Sequence, residues 1–106
     1  MRTNEPKLTS PTAFIQGKPT KLHCLSEGGY PLQSVAWYKG TVSSGTRLAG
    51  VNSFNTINGL FNVTNTLTFT PTSADDGIQL ICQSSYSDEP RLIEEAHTVI
   101  RIASEF

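Results

Sequence analysis

Apolar side chains recur at every second position along this chain, in short runs. In Thr20-Lys21-Leu22-His23-Cys24, Thr20, Leu22 and Cys24 share one face and Lys21 and His23 the other, just after the turn residues Gly17-Lys18-Pro19. Such alternation predicts a half-buried strand. Ser34 to Lys39 predicts a second, with Val35 and Trp37 in phase, after a loop at Glu27-Gly28-Gly29-Tyr30-Pro31. Asn65-Thr66-Leu67-Thr68-Phe69-Thr70 alternates again, with Leu67 and Phe69 pointing one way and the threonines the other. Pro71 to Gly77 then forms a turn-rich bridge to the strand Ile78-Gln79-Leu80-Ile81-Cys82. After a polar loop from Ser84 to Pro90, a last strand is expected from Ala96 to Ile102. It sets Thr98, Ile100 and Ile102 on one face and His97, Val99 and Arg101 on the other. The Ser/Gly/Thr-rich connection from Gly40 to Thr46, the short apolar piece Arg47 to Gly50 and the polar segment Val51 to Gly59 are the least patterned part. Short strands or irregular loop are expected there.

Gly, Pro, Asn, Asp or Ser interrupts these runs about every 8 to 12 residues, the spacing of an all-β sandwich. No window holds a 3.6-residue apolar period of helical length. A chain of 106 residues makes one domain, taken as residues 6–103, with 1–5 and 104–106 as flexible or appended ends. A net charge of -1 with 16% charged residues supplies neither a basic surface for nucleic acid nor an acidic tail. No run approaches the roughly 18 apolar residues of a membrane span, so direct membrane insertion by these residues is not expected. The start, MRTNEPKLTS, has no signal-peptide core, and any leader or anchor would lie outside these residues. Cys24 and Cys82 form no CxxC pair, and no histidine stands at zinc-finger spacing, so no metal site is expected. A disulfide or two free buried thiols remain.

Gly17, Leu22, Cys24, Trp37, Asp76 and Cys82 stand in a recognisable order: Gly-x6-Cys, Cys-x12-Trp, then a cysteine after an Asp-containing turn. From Lys7 to Ile102 the chain resembles an immunoglobulin-superfamily domain. The resemblance implies a two-sheet antiparallel β-sandwich with one inter-sheet disulfide, Cys24 to Cys82. Trp37 would pack against that bond, with Leu22, Leu67, Phe69 and Leu80 in the core. The stretch from Trp37 to Cys82 is short for a variable-type domain, which points to the intermediate or constant-2 sets. The run Cys24 to Pro31, then Trp37-Tyr38-Lys39 and Asp75 to Cys82, is similar to constant-2-like domains of nephrin-family adhesion receptors. Two departures stand out. Leu80 replaces the tyrosine whose hydroxyl usually ties the corner between strands E and F, and Gly77 lies one residue further from the cysteine than usual. Asp75 or Asp76 is expected to hold that turn through side-chain bonds to the backbone.

Asn62-Val63-Thr64 satisfies the N-glycosylation rule, and Asn62 shares the polar phase of its strand. Taking Val35, Trp37, Leu80 and Cys82 as inward puts Tyr38, Ile81, His97, Val99 and Arg101 outward on one sheet. That mix of aromatic, aliphatic and cationic residues suits an interface. Tyr30, between strands B and C, and Tyr86, in the expected loop between F and G, add recognition candidates at one end. Catalytic constellations are poor. His23 and His97 fall on outward phases of different sheets, Gly28-Gly29 leads into no helix, and Glu94-Glu95 lacks further calcium ligands. The resemblance thus implies a non-catalytic extracellular domain of a cell-surface adhesion or recognition receptor, without cofactor. It would bind another cell-surface protein, homophilically or heterophilically, beside neighbouring immunoglobulin domains. The alternatives are a structural spacer with no ligand of its own and an intracellular muscle-type domain, which rarely depends on a disulfide.

Overall fold

The computed structural model describes residues 5–41 and 45–103. Among them the strands are β1 (Lys7–Thr9), β2 (Phe14–Ile15), β3 (Thr20–Gly29), β4 (Ser34–Lys39), β5 (Thr46–Leu48), β6 (Val51–Ile57), β7 (Leu60–Phe69), β8 (Gln79–Tyr86), β9 (Glu89–Val99) and β10 (Ile102–Ala103), with one 3-10 turn at Ser73–Asp75. They form two four-stranded antiparallel sheets, ordered β1-β3-β7-β6 and β5-β4-β8-β9, and a short parallel pair, β2 with β10. This is the two-sheet sandwich the resemblance implied. The disulfide joins Cys24 on β3 to Cys82 on β8, across the sheets, with Cα atoms 6.4 Å apart.

Alternation along the strands builds the core. Leu22 and Cys24 on β3, Val35 and Trp37 on β4, Val63, Leu67 and Phe69 on β7, and Leu80 and Cys82 on β8 are all buried in one cluster with Phe14 and Ile100. Trp37 stands opposite Cys82 in the register of β4 and β8, so its indole lies beside the disulfide. A buried polar residue ties the two layers. Asn65 on β7 donates Nδ2–H to the Val35 carbonyl at 2.9 Å, and the Trp37 indole N–H donates to the Asn65 carbonyl at 3.3 Å. A Cβ at Gly50 would collide with the Asn65 side-chain oxygen, so this chain segment must be small where it crosses Asn65.

The corner between β7 and β8 has no tyrosine hydroxyl, and both aspartates take part. Asp75 Oδ2 accepts the Thr72 backbone N–H at 2.8 Å and its hydroxyl at 3.2 Å, while Oδ1 accepts the Lys39 ammonium at 3.0 Å. Asp76 Oδ1 accepts the Ile102 N–H at 3.0 Å. The corner is therefore fastened to β4 on one side and to β10 on the other.

Four expectations are corrected. The segment Val51 to Gly59 is a regular strand and turn: β6 pairs with β7 without interruption from Val51↔Thr66 to Ile57↔Leu60. All its residues are exposed, so no burial alternation marks it; the legible signal was Asn58-Gly59. Both have positive φ, 55° and 77°, which fits a two-residue hairpin of the type Asn-Gly favours. Glu27-Gly28-Gly29 continues β3 past a register shift after Ser26, and is not loop. The polar stretch Ser84 to Pro90 is mostly strand, since β8 runs to Tyr86 and β9 starts at Glu89. The expected last strand from Ala96 breaks after Val99. Ile100 turns into the core, bonded to Ile78 and Gly77, and Ile102-Ala103 crosses to β2.

Candidate functional site

The outer face of the β5-β4-β8-β9 sheet is set by register. Arg47, Tyr38, Ile81 and His97 lie in one row across all four strands, because Tyr38 pairs with Arg47 on one side and Ile81 on the other, and Ile81 pairs with His97. The next row holds Ala36, Gln83 and Glu95, and the one beyond it Ser34, Ser85 and Ile93. Tyr38 and Val99 are half-buried, while His97 and Arg101 are exposed. Ile81, expected to stand free on this face, is only 4% exposed. Its strand is central, and the longer side chains of Tyr38 and His97 flank it in the same row. Arg101 lies beyond the end of β9, where the chain leaves the sheet.

A polar network crosses the face. Gln83 Nε2–H donates to Glu95 Oε2 at 3.0 Å, and His97 Nε2 lies 3.1 Å from Glu95 Oε1. The Gln83 amide, then the His97 imidazole, hold the Glu95 carboxyl below its ordinary range against the opposing pull of burial. Gln83, Arg47 and Ile93, the last 47% exposed, carry no expectation from the sequence, and Glu95 enters there only as half of an acidic pair short of calcium ligands. For Glu95 and Ile93, strand register was the missing information, because β9 begins well before the expected Ala96.

The end loops divide differently. Tyr86 is 3% exposed because β8 extends through it and turns its ring inward beside Gly29, where an added Cβ would meet its hydroxyl at 2.7 Å. Tyr30 is 58% exposed and stacks on Phe61 at a centroid distance of 6.5 Å; Phe61 meets Phe54 edge-on at 5.7 Å. Tyr30, Phe61 and Phe54 thus form a continuous aromatic run at this end. Beside it a cleft of about 370 Å³ opens between the sheets, with Leu32, Val35, Arg47, Phe54 and Val63 in its lining.

Asn62 is half-buried on β7. Its Oδ1 accepts the Gly28 N–H at 2.9 Å, and its Nδ2 donates to Asn55 Oδ1 at 3.2 Å. One Nδ2 hydrogen remains beyond that bond. His23 bonds the Thr66 hydroxyl at 3.0 Å, on the sheet opposite His97. Among the described residues no three His, Cys, Asp or Glu side chains gather to hold a metal ion, and no helix is long and apolar enough to cross a membrane.

A family model described as the CD80-like C2-set immunoglobulin domain matches residues 5–91. Comparison with curated protein sequences finds no match. Among solved structures, the full ectodomain (Ig1–Ig3) of mouse nectin-like molecule 4 is 22% identical with a TM-score of 0.80, over 94% of this chain and 34% of that one. Rst D1-D2 is 18% identical with a TM-score of 0.82, over 96% and 50%, and bovine butyrophilin is 21% identical with a TM-score of 0.73, over 92% and 43%. At these identities the likeness is one of fold, and this chain spans about a third to a half of each structure's length.

Proposed function

The chain belongs to the CD80-like C2-set immunoglobulin domain family, and from that premise we propose that it is a non-catalytic, extracellular domain of a cell-surface adhesion or recognition receptor. In this reading residues 6–103 form one unit among neighbouring immunoglobulin domains, and it binds another cell-surface protein through the outer face of β5-β4-β8-β9. The observation that carries the binding role is the row Arg47, Tyr38, Ile81, His97. It sets an aromatic and an aliphatic side chain between cationic or titratable ends, beside a glutamate already held by two partners. Aromatic residues and arginine concentrate binding energy at interface centres, and groups fixed before contact lose less entropy on binding.

The test is surface binding to a panel of adhesion-receptor ectodomains, including this domain itself. Tyr38→Ala with His97→Ala is expected to weaken a bound partner tenfold or more while the melting temperature stays close to that of the parent. A domain that binds no ectodomain on the panel supports the spacer reading. Binding that survives both substitutions and is lost on Tyr30→Ala moves the contact to the aromatic end.

Asn62 is the glycan acceptor in the same reading. The free Nδ2 hydrogen permits the linkage, and the position faces away from the proposed binding sheet. Protein secreted from a glycosylating host is expected to carry a glycan-sized mass increment that Asn62→Gln removes. An unmodified mass would assign Asn62 to its bonds with Gly28 and Asn55 alone.

A further inference from the structure

β6 closes one edge of the β1-β3-β7-β6 sheet with every residue exposed. An open edge is a template for another strand, and proteins blunt such edges with charge, proline, a bulge or short length. The other edges do so: β1 is three residues long and carries Lys7, β5 is as short and carries Arg47, and β9 carries Glu89, Arg91, Glu94 and Glu95. β6 has none of these devices. Val51-Asn52-Ser53-Phe54-Asn55-Thr56-Ile57 contains no charge and no proline, and its register with β7 runs without a shift.

Read in either direction, β6 has the same order: apolar residues at 51, 54 and 57, polar ones between. Antiparallel pairing with a second copy, about a two-fold axis at Phe54, sets Val51 against Ile57, Asn52 against Thr56, Ser53 against Asn55 and Phe54 against Phe54. Like meets like, which favours cross-strand pairs, and an uncharged strand meets no repulsion from its copy. The backbone agrees. Ile57 and Leu60 close the hairpin and bond each other, so alternation turns the N–H and C=O of Val51, Ser53, Asn55 and Ile57 toward β7. The groups of Asn52, Phe54 and Thr56 therefore face the open edge, and the same two-fold brings all of them into bonding pairs.

We propose that β6 is a homophilic docking edge, through which two copies of this chain join their β1-β3-β7-β6 sheets into one continuous sheet. The occupant is a second copy because an isologous contact needs a self-complementary strand, and among the described edges β6 alone is one. This surface is separate from the outer face of the other sheet. One strand pair buries well under the roughly 1,600 Å² of a standard interface, so the isolated domain associates weakly, with a dissociation constant on the order of 100 µM.

Sedimentation velocity from about 10 µM to about 1 mM, with amide hydrogen exchange at both ends of that range, tests the proposal. The expected result is a monomer–dimer equilibrium, with exchange at Asn52, Phe54 and Thr56 slowed as concentration rises. Phe54→Lys, which sets two ammonium groups at the axis, is expected to weaken the dimer at least tenfold. Thr56→Pro deletes an N–H that faces the open edge and spares the ladder to β7, so it keeps the test valid should Phe54→Lys unsettle the fold through Phe61. Tyr38→Ala with His97→Ala is expected to leave the dimer unchanged, which separates this edge from the face proposed above. A wild-type monomer at about 1 mM, or a dimer that survives Phe54→Lys and Thr56→Pro alike, overturns the proposal.

Discussion

Breaking the Cys24–Cys82 bond is expected to destabilise this domain by about 4 kcal/mol, the loop-closure estimate for a cross-link spanning a sequence separation of 58. Small domains hold only about 5–15 kcal/mol in total, so the loss is a large share of it. Both cysteines are fully buried against Trp37 and Leu22, and replacing them adds a packing cost to the entropic one. Cys24→Ala with Cys82→Ala should lower the thermal midpoint by about 20 °C or more. It should also raise the urea m-value, because the released chain exposes more surface on unfolding. Reductant should act on the parent only as it opens, since the sulfurs are covered. A melting temperature unmoved by the double substitution would mean that the two sheets hold together without the cross-link, and that the core cluster carries the stability alone.

What was legible in the sequence follows burial. Leu22, Cys24, Trp37, Leu67, Phe69, Leu80 and Cys82 could be placed because each lies on a strand with one face in the core and one in water, and alternation records that difference. β6 has no buried face, so the same rule saw only polarity, and Asn58-Gly59 was the sole local sign of its hairpin. Ile81 and Tyr86 show the opposite failure. Phase correctly put Ile81 on the outer face, but exposure there depends on the neighbours in the row, and register between strands is not written in any one strand. The polarity of Ser84 to Pro90 predicts a loop at Tyr86, yet Ser84 and Tyr86 keep the inward phase of Leu80 and Cys82. Continuing the alternation two steps past the cysteine would have found it. The outer face of β5-β4-β8-β9 was legible for Tyr38 and His97 and illegible for Glu95 and Ile93, which depend on β9 starting at Glu89.

Asp75 is the second residue whose loss should be felt strongly. Its carboxylate is buried at the corner between β7 and β8, with Thr72 on one oxygen and Lys39 on the other. Burial alone would raise its pKa. The Thr72 N–H, the Lys39 ammonium through hydrogen bond and charge, and the Thr72 hydroxyl outweigh that and hold it below the ordinary value of 3.8. Asp75→Ala removes the acceptor of the Thr72 N–H and the counter-charge of Lys39 together. The Lys39 side chain is 33% exposed and can turn to water, which limits the cost, so about 2–3 kcal/mol is expected. Asp76→Ala should cost less, since it frees one exposed bond to Ile102.

The pH dependence separates the charge from the packing. Because the folded pKa lies below the unfolded one, Asp75 stabilises the fold fully above the unfolded value near 3.8 and loses that contribution as pH falls through the folded value. Stability of the parent should therefore drop below about pH 4. Asp75→Asn should be less stable at neutral pH and show a shallower acid slope, so that the two curves converge in acid. Glu95, lowered by Gln83 and His97, titrates in the same direction and leaves part of the slope in the variant. Urea midpoints for both proteins between pH 2.5 and 7 measure this. Parallel curves would show that the carboxylate contributes no charge-dependent stability, and that Thr72 and the 3-10 turn hold the corner that tyrosine holds elsewhere.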